Sequence, residues 1–316
     1  MATSTSDDLA SKLSAILGGP VSSLQRLTGG ASRETWRFRC GDDDLVLQRV
    51  RPGRPDGLGA EPAVLSAAYA GGVPVPEVIV DGSASSELDL PFMIVRAVSG
   101  ETIARKILRD SEFESARQLL PAQLGEALGL LHQVDVSSIK GLTSVDQVKM
   151  YQKVMDDLGE PHPVFDIAFR WLEQNRPAVS TSSLVHGDFR LGNMLVESRG
   201  LSAVLDWELA HIGDPMEDLG WLCVRAWRFG GSQPVAGLGE YDELFEAYEK
   251  TSGIRPNFSI VRWWEILGTV KWGIMCIVQA NTHLSGVARS HELAAIGRRV
   301  CENEYDVLNL LREELS

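Results

Sequence analysis

The segment LVHGDFRLGNMLV, residues 184–196, sets His186, Asp188 and Asn193 on a turn between two apolar runs. An Asp followed five residues later by an Asn is the spacing of a phosphoryl-transfer loop. In such a loop the carboxylate accepts a hydrogen bond from an attacking hydroxyl, and the amide oxygen holds Mg²⁺. A second carboxylate is needed to complete the metal site, and Asp206 in AVLDWE supplies it at the end of the next short apolar run. Hard oxygen ligands suit Mg²⁺, which keeps waters and takes its remaining ligands from phosphates. The plainer alternative is a β-turn closed by an Asx-type bond from Asp188, with His186 buried for packing.

Elements must hold these groups in place. A short helix is expected around Asp8 to Leu17, then a hairpin in which WRFRC and LVLQRV flank DDD as a turn. Residues 51–59 read as a loop, Pro62 to Ala70 as a helix, and VPEVIV and PFMIVRAV as strands around the turn-rich DGSASSELDL. From Glu101 the period becomes helical, over 112–133, 144–158, 162–175, 216–228, 240–250, 260–284 and 290–314, with LVHGDF, NMLVES and LSAVLDW as short strands between them. The expected fold is α+β and two-lobed: an antiparallel, nucleotide-binding sheet lobe over 1–98 and a helical lobe over 99–316, with ligands in the cleft between them.

Asp214-Pro215-Met216-Glu217 has the form of a helix start, with Asp at the N-cap, Pro at the first helical position and Glu at the third. Asp214 and Asp218 are therefore expected to be structural. Gly29, Gly30, Ala31 and Ser32, before the WRFRC strand, are small enough for backbone N–H groups to approach nucleotide phosphates, although Gly-Gly is also an ordinary hairpin turn.

These residues carry a resemblance. From about Leu27 to Trp227 the chain resembles the aminoglycoside phosphotransferase family, which has a protein-kinase-like fold and includes choline, homoserine and fructosamine kinases. LVHGDFRLGNMLV and VLDWELAHIGDPMEDLGWL look like the subgroup that includes the kinase-like domains linked to acyl-CoA dehydrogenases. The resemblance implies that Asp188 is the catalytic base, that Asn193 and Asp206 are Mg²⁺ ligands, and that His186 supports the metal-binding segment. Arg190 falls where many protein kinases have a Lys, and serves either the transferring phosphoryl group or only the surface. Backbone groups near Arg96 to Val98 would bond the nucleotide base, ATP or GTP alike.

Two positions depart from the family pattern. The third-strand cation that contacts the α- and β-phosphates falls on Gln48, which is uncharged, while Arg49 points to the opposite face of a regular strand. A register shifted by one, a bulge that turns Arg49 inward, or a site that manages without the cation would each account for this. The helix Glu that orients that cation falls on Glu61, placed by Pro62 at the helix start.

The chain has 316 residues, a net charge of −13 and four scattered cysteines, Cys40, Cys223, Cys276 and Cys301, expected to be buried reduced thiols. Acidity argues against nucleic-acid or membrane-surface partners, and the N-terminus lacks an apolar export segment, so a cytoplasmic location is expected. The expectation is a Mg²⁺-dependent kinase that transfers the γ-phosphoryl of ATP or GTP to a small-molecule hydroxyl, in a hydroxylated metabolite or a hydroxyacyl compound. A nucleotide-binding pseudokinase and an amino-sugar phosphotransferase remain the alternatives. The helical lobe offers acceptors both acids (Asp156, Asp157, Glu240, Asp242, Glu243) and bases (Arg225, Arg228, Lys271), while Trp221, Trp227, Trp263 and Trp264 read as core.

Overall fold

A computed structural model of the chain describes residues 6–27, 33–51, 57–85, 87–178 and 181–315. The phosphate-loop candidates Gly29, Gly30, Ala31 and Ser32 lie outside them. Helix α1 (Ser6–Leu17) leads into β1 (Val21–Leu27), β2 (Arg33–Cys40) and β3 (Asp43–Val50), followed by α2 (Glu61–Ala70), β4 (Val78–Gly82) and β5 (Phe92–Arg96). The strands form one antiparallel sheet in the order β1-β2-β3-β5-β4. Strand alternation sends Leu45 and Leu47 against Leu9 and Leu13 of α1, and sends Val50, Met93 and Val95 against Val64 and Leu65 of α2. The β2–β3 turn is Gly41-Asp42, so Asp43 and Asp44 belong to β3 and only the first Asp of the DDD run turns.

The second half is helical. It contains α3 (Ala104–Arg109), α4 (Glu114–Leu131), α5 (Gln147–Leu158) and α6 (Pro163–Gln174), then four short strands, β6 (Ser183–Val185), β7 (Met194–Glu197), β8 (Gly200–Val204) and β9 (His211–Gly213). Helices α7 (Met216–Cys223), α8 (Tyr241–Ser252), α9 (Phe258–Leu284), α10 (His291–Gly297) and α11 (Val300–Glu314) complete it. Helix α9 is its axis, burying Val261, Ile266, Val270 and Ile274 among its neighbours. No helix among the described residues is long and apolar enough to cross a membrane.

Three expected elements are shorter or broken. The 216–228 helix stops at Val224, which is extended, and resumes as a 3₁₀ turn over Arg225–Arg228. The 290–314 helix splits after Gly297, where the chain packs on Ala280. The strand in LVHGDF ends at Val185, because Gly187 turns with φ +79°. The cysteines are free, with Cys223 and Cys276 buried, Cys40 half-buried and Cys301 exposed, so burial holds for only two of them.

The two halves are tied beside the site. Glu101 and Val196 exchange backbone hydrogen bonds at 2.9 and 3.0 Å, pinning the segment after the sheet onto β7. The Val204 N–H donates to Pro74 O at 2.7 Å, pinning the segment after α2 onto the end of β8.

Candidate active site

β6 ends in the turn that carries Asp188, and β7 begins directly after Asn193. The Asp188 carboxylate is held by three donors. Arg190 Nε and Trp221 Nε1 each reach Oδ1 at 2.9 Å, and Asn193 Nδ2 reaches Oδ2 at 2.6 Å. The same Asn193 amide nitrogen also donates to Asp188 O at 3.0 Å, which leaves Asn193 with its Oδ1 to offer a ligand. The Arg190 guanidinium stacks 4.6 Å from the Trp227 ring centroid. Its position is thus fixed on the Asp188 carboxylate and on an aromatic face.

The turn is locked from below by residues far along the chain. The buried Asp218 carboxylate accepts the His186 N–H at 2.8 Å and the Gly187 N–H at 2.9 Å, and His132 Nε2 lies 3.3 Å away. Burial works to raise the Asp218 carboxyl, but the His132 bond and the loop N–H groups outweigh it and hold the carboxyl below its ordinary value. Lys271 Nζ of α9 donates to Gly187 O at 2.8 Å. Lys271 is therefore buried beneath the turn and does not line an acceptor pocket. A Cβ at Gly187 would meet Leu209 O at 2.6 Å, so the turn needs glycine for space as well as for its φ.

His186 is fully buried, and burial pushes its ring pKa down and keeps it neutral. Its Nδ1 accepts from the Asp188 N–H at 3.1 Å, which leaves the proton on Nε2 for Leu205 O at 3.0 Å. The imidazole therefore bridges the Asp188 turn to the segment that carries Asp206, and it packs 4.4 Å from the Trp207 ring. Leu205 N donates to Asn193 O at 2.8 Å, closing the link on the other side.

Asp206 follows β8 with φ +64°, a left-handed conformation that Asp tolerates better than most residues. Burial first, then the charges of Glu208, Asp188 and Glu61, push its carboxyl up to about 6. Such a crowd of negative charge favours a cation. Among the described residues no cluster of three or more His, Cys, Asp or Glu forms a closed metal cage. Asn193 Oδ1 and the Asp206 carboxylate are hard oxygen donors of the kind that would suit Mg²⁺, with phosphates and water supplying the remainder.

The sheet contributes the opposite wall. Gln48 pairs with Thr35, and the β2–β3 register runs without a bulge from Arg33↔Val50 to Cys40↔Asp43. Arg49 therefore stays on the α1 face, where it pairs with Glu34 at 2.7 Å. Glu61, only 4% exposed and the first residue of α2, forms its ion pair with Arg33 of β2, a residue the sequence pattern did not single out. The Arg96 side chain points to Glu77 and Asp43, at 2.8 and 2.7 Å, and its backbone N–H donates to Glu77 O. The Ala97 N–H is donated to Asp44 O at 2.9 Å.

After β9, Asp214 Oδ1 accepts the Met216 N–H at 2.9 Å as expected of a cap. Glu217 does not close the capping box: its carboxylate lies 3.1 Å from His211 Nε2 and 3.8 Å from Lys271 Nζ. Trp221, Trp227 and Trp263 are buried as expected, although Trp221 also donates to the Asp188 carboxylate.

A five-stranded antiparallel lobe set on a helical lobe, with an Asp–Asn turn and a following Asp at their junction, is a protein-kinase-like phosphotransferase fold. The chain belongs to the phosphotransferase enzyme family (APH), whose sequence profile matches residues 23–254. It is 29% identical over 283 residues to mouse (Mus musculus) acyl-CoA dehydrogenase family member 10, covering 79% of this chain and 26% of that protein. It is 25% identical over 218 residues to the Escherichia coli hygromycin-B 4-O-kinase, covering 61% of this chain and 60% of that protein. The chain thus spans about a quarter of the mouse relative. Its fold is similar to that of a putative aminoglycoside phosphotransferase from Ralstonia eutropha, with a TM-score of 0.77, 22% identity and coverage of 96% and 98% of the two chains. It is also similar to aminoglycoside phosphotransferase APH(4)-Ia in ternary complex with AMP-PNP and hygromycin B, with a TM-score of 0.66, 20% identity and coverage of 98% of each chain.

Proposed function

We propose that this chain is a Mg²⁺-dependent small-molecule kinase that transfers the γ-phosphoryl of ATP or GTP to an acceptor hydroxyl. The observation that carries this reading is the Asp188 carboxylate, fixed by Arg190, Trp221 and Asn193 with Oδ2 still able to accept. The acceptor O–H donates to Oδ2, which aims the oxygen at phosphorus. As the new O–P bond forms and the bond to the β-phosphate oxygen breaks, the proton passes to Asp188. Asn193 Oδ1 and Asp206 would hold Mg²⁺, which neutralises charge on the β- and γ-phosphates. Arg190 orients the base from its seat on Trp227. Val98 and its neighbours would bond the nucleotide base through the backbone.

Kinship favours an anionic acceptor over an amino sugar, while the charged side chains of the helical half are largely spent on one another. Glu240 and Glu243 are spent on the capping box of α8, and Asp157 on Lys153. Arg105, Arg225, Arg228 and Arg299 line one open cleft of about 1160 Å³, and three of them are already paired with acids: Arg225 with Asp306 at 3.6 Å, Arg228 with Glu265 at 2.9 Å and Arg299 with Glu302 at 3.1 Å. The kinship with an acyl-CoA dehydrogenase family member points to a hydroxylated carboxylate or a hydroxyacyl compound.

The test is phosphate transfer from ATP and GTP, with Mg²⁺, to a panel of hydroxylated anionic acceptors and aminoglycosides, comparing wild type with Asp188→Asn. Loss of the base should lower turnover at least about 100-fold while nucleotide binding persists. Equal turnover in the variant would falsify the base assignment. Nucleotide binding with no transfer to any acceptor would favour the pseudokinase reading.

A further inference from the structure

Gln48 leaves the third strand without its cation, yet Glu61 is buried and paired. A buried carboxylate without a partner is costly, and the partner here is Arg33, whose side chain is 14% exposed. Because Arg33 pairs with Val50 and Thr35 with Gln48, Arg33 and Gln48 project from the same face of the sheet, on adjacent strands. Their heads meet: Arg33 Nη1 lies 3.4 Å from Gln48 Oε1. The guanidinium therefore sits at the end of the side chain where a third-strand cation would end.

We propose that Arg33 is the phosphate-contacting cation of this chain, moved one strand across the sheet, with Glu61 orienting it and Gln48 bracing it. This rests on the kinase reading above. Arg33, Glu61, Trp207 and Glu208 line one cavity of about 430 Å³, and the charges of Arg33, Glu61 and Glu208 act on the Asp206 carboxyl. Arg33 supplies the positive charge there, against the carboxylates of Glu61, Glu208 and Asp206. A guanidinium has five N–H donors in a fixed fork, so one edge can bind Glu61 and another Gln48 while donors remain for an α- or β-phosphate. A Lys in this position would have three donors and no fork.

The experiment measures affinity for whichever of Mg·ATP or Mg·GTP the wild type binds, and for the matching nucleoside, by titration calorimetry. In Arg33→Gln, nucleotide affinity should fall about tenfold to a hundredfold, as expected for losing a charge-assisted bond, with nucleoside affinity unchanged. Arg33→Gln/Gln48→Lys returns a cation to the third strand beside Glu61 and should recover most of the loss. Should the single variant fold poorly, Arg33→Gln/Glu61→Gln removes both charges, leaves no orphaned carboxylate and should show the same selective loss. Equal weakening of nucleotide and nucleoside, or no weakening of either, overturns the proposal and leaves the kinase reading standing. A wild type that binds no nucleotide overturns both.

Discussion

The carboxyl of Asp206 is pushed up to about 6, by burial first and then by Glu208, Asp188 and Glu61. A carboxyl raised above its ordinary value contributes stability that is fully present below that value and is lost as pH rises through about 6. At neutral pH the ionised group therefore costs the metal-free fold, and its benefit appears when a cation arrives. Asp206→Asn keeps the shape, removes the charge and suits the positive φ. Screening at the open face limits the gain to about 1 kcal/mol. Metal-free Asp206→Asn should melt about 2 °C above wild type at pH 8, a gap that narrows toward pH 5 as the wild-type group protonates. Thermal unfolding across that range checks it, and a variant less stable than wild type at pH 8 would remove the charge-crowding argument. The residues with recognisable spacing, Asp188, Asn193 and Asp206, were legible in the sequence because a short turn and one hairpin join them. Lys271 and Arg33 were not: Lys271 acts on a carbonyl 84 residues away, and Arg33 acts through a sheet face that exists only after β2 and β3 pair.

Helix α7 is the element that sets the geometry of the Asp188 turn. Asp218 and Trp221 lie three positions apart and so share a face, one holding the His186 and Gly187 N–H groups and the other the Asp188 carboxylate. The opposite face is pressed onto α9 at Gly220, where a Cβ would lie 2.5 Å from Trp264 Cβ and 2.7 Å from Glu265 N. Backbone on one side of the contact cannot give way as a flexible side chain would. Gly220→Ala should therefore push α7 off α9 and destabilise the fold by about 1–3 kcal/mol. Because Asp218 and Trp221 move with the helix, single-turnover transfer should fall by more than the lost stability explains, while the Kd for nucleotide changes little. A variant that loses stability with full transfer per folded molecule would show that the turn does not depend on α7. Sequence period located this helix but overran its end by several residues, since the break at Val224 depends on how the following turn packs Trp227 against Trp221 and Trp272. The capping box was half legible for a similar reason: Glu217 has a buried partner in His211 that outcompetes the local backbone bond.

Over the whole molecule, the candidate site is built from both halves of the chain. Arg33, Gln48 and Glu61 come from the sheet and α2, whereas Asp188, Asn193 and Asp206 come from the turns of the helical half. The alternation between period two and helical period made this division readable, and the fold class with it. The joints were not readable, because Glu101 with Val196 and Val204 with Pro74 meet through backbone groups that leave no side-chain trace. Those joints fasten the sheet half close to both metal-ligand candidates, through the third residue after Asn193 and the second before Asp206. Across the junction, Glu61 faces Asp206 and Glu208, and Arg33 offsets only part of that negative charge, so a further cation would relieve the remainder. A metal-bound nucleotide would supply that charge and touch both walls, and a ligand that binds only the folded state stabilises it by about 2.7 kcal/mol at a hundred times its Kd. For a chain of this size that corresponds to a rise in Tm of about 4–5 °C with Mg·ATP or Mg·GTP. The same nucleotide with the metal chelated adds negative charge to a negative cleft, and should give a small rise or none. Differential scanning calorimetry with and without EDTA reads the difference directly; an equal rise in both conditions would mean that the nucleotide is held without the Asn193–Asp206 pair.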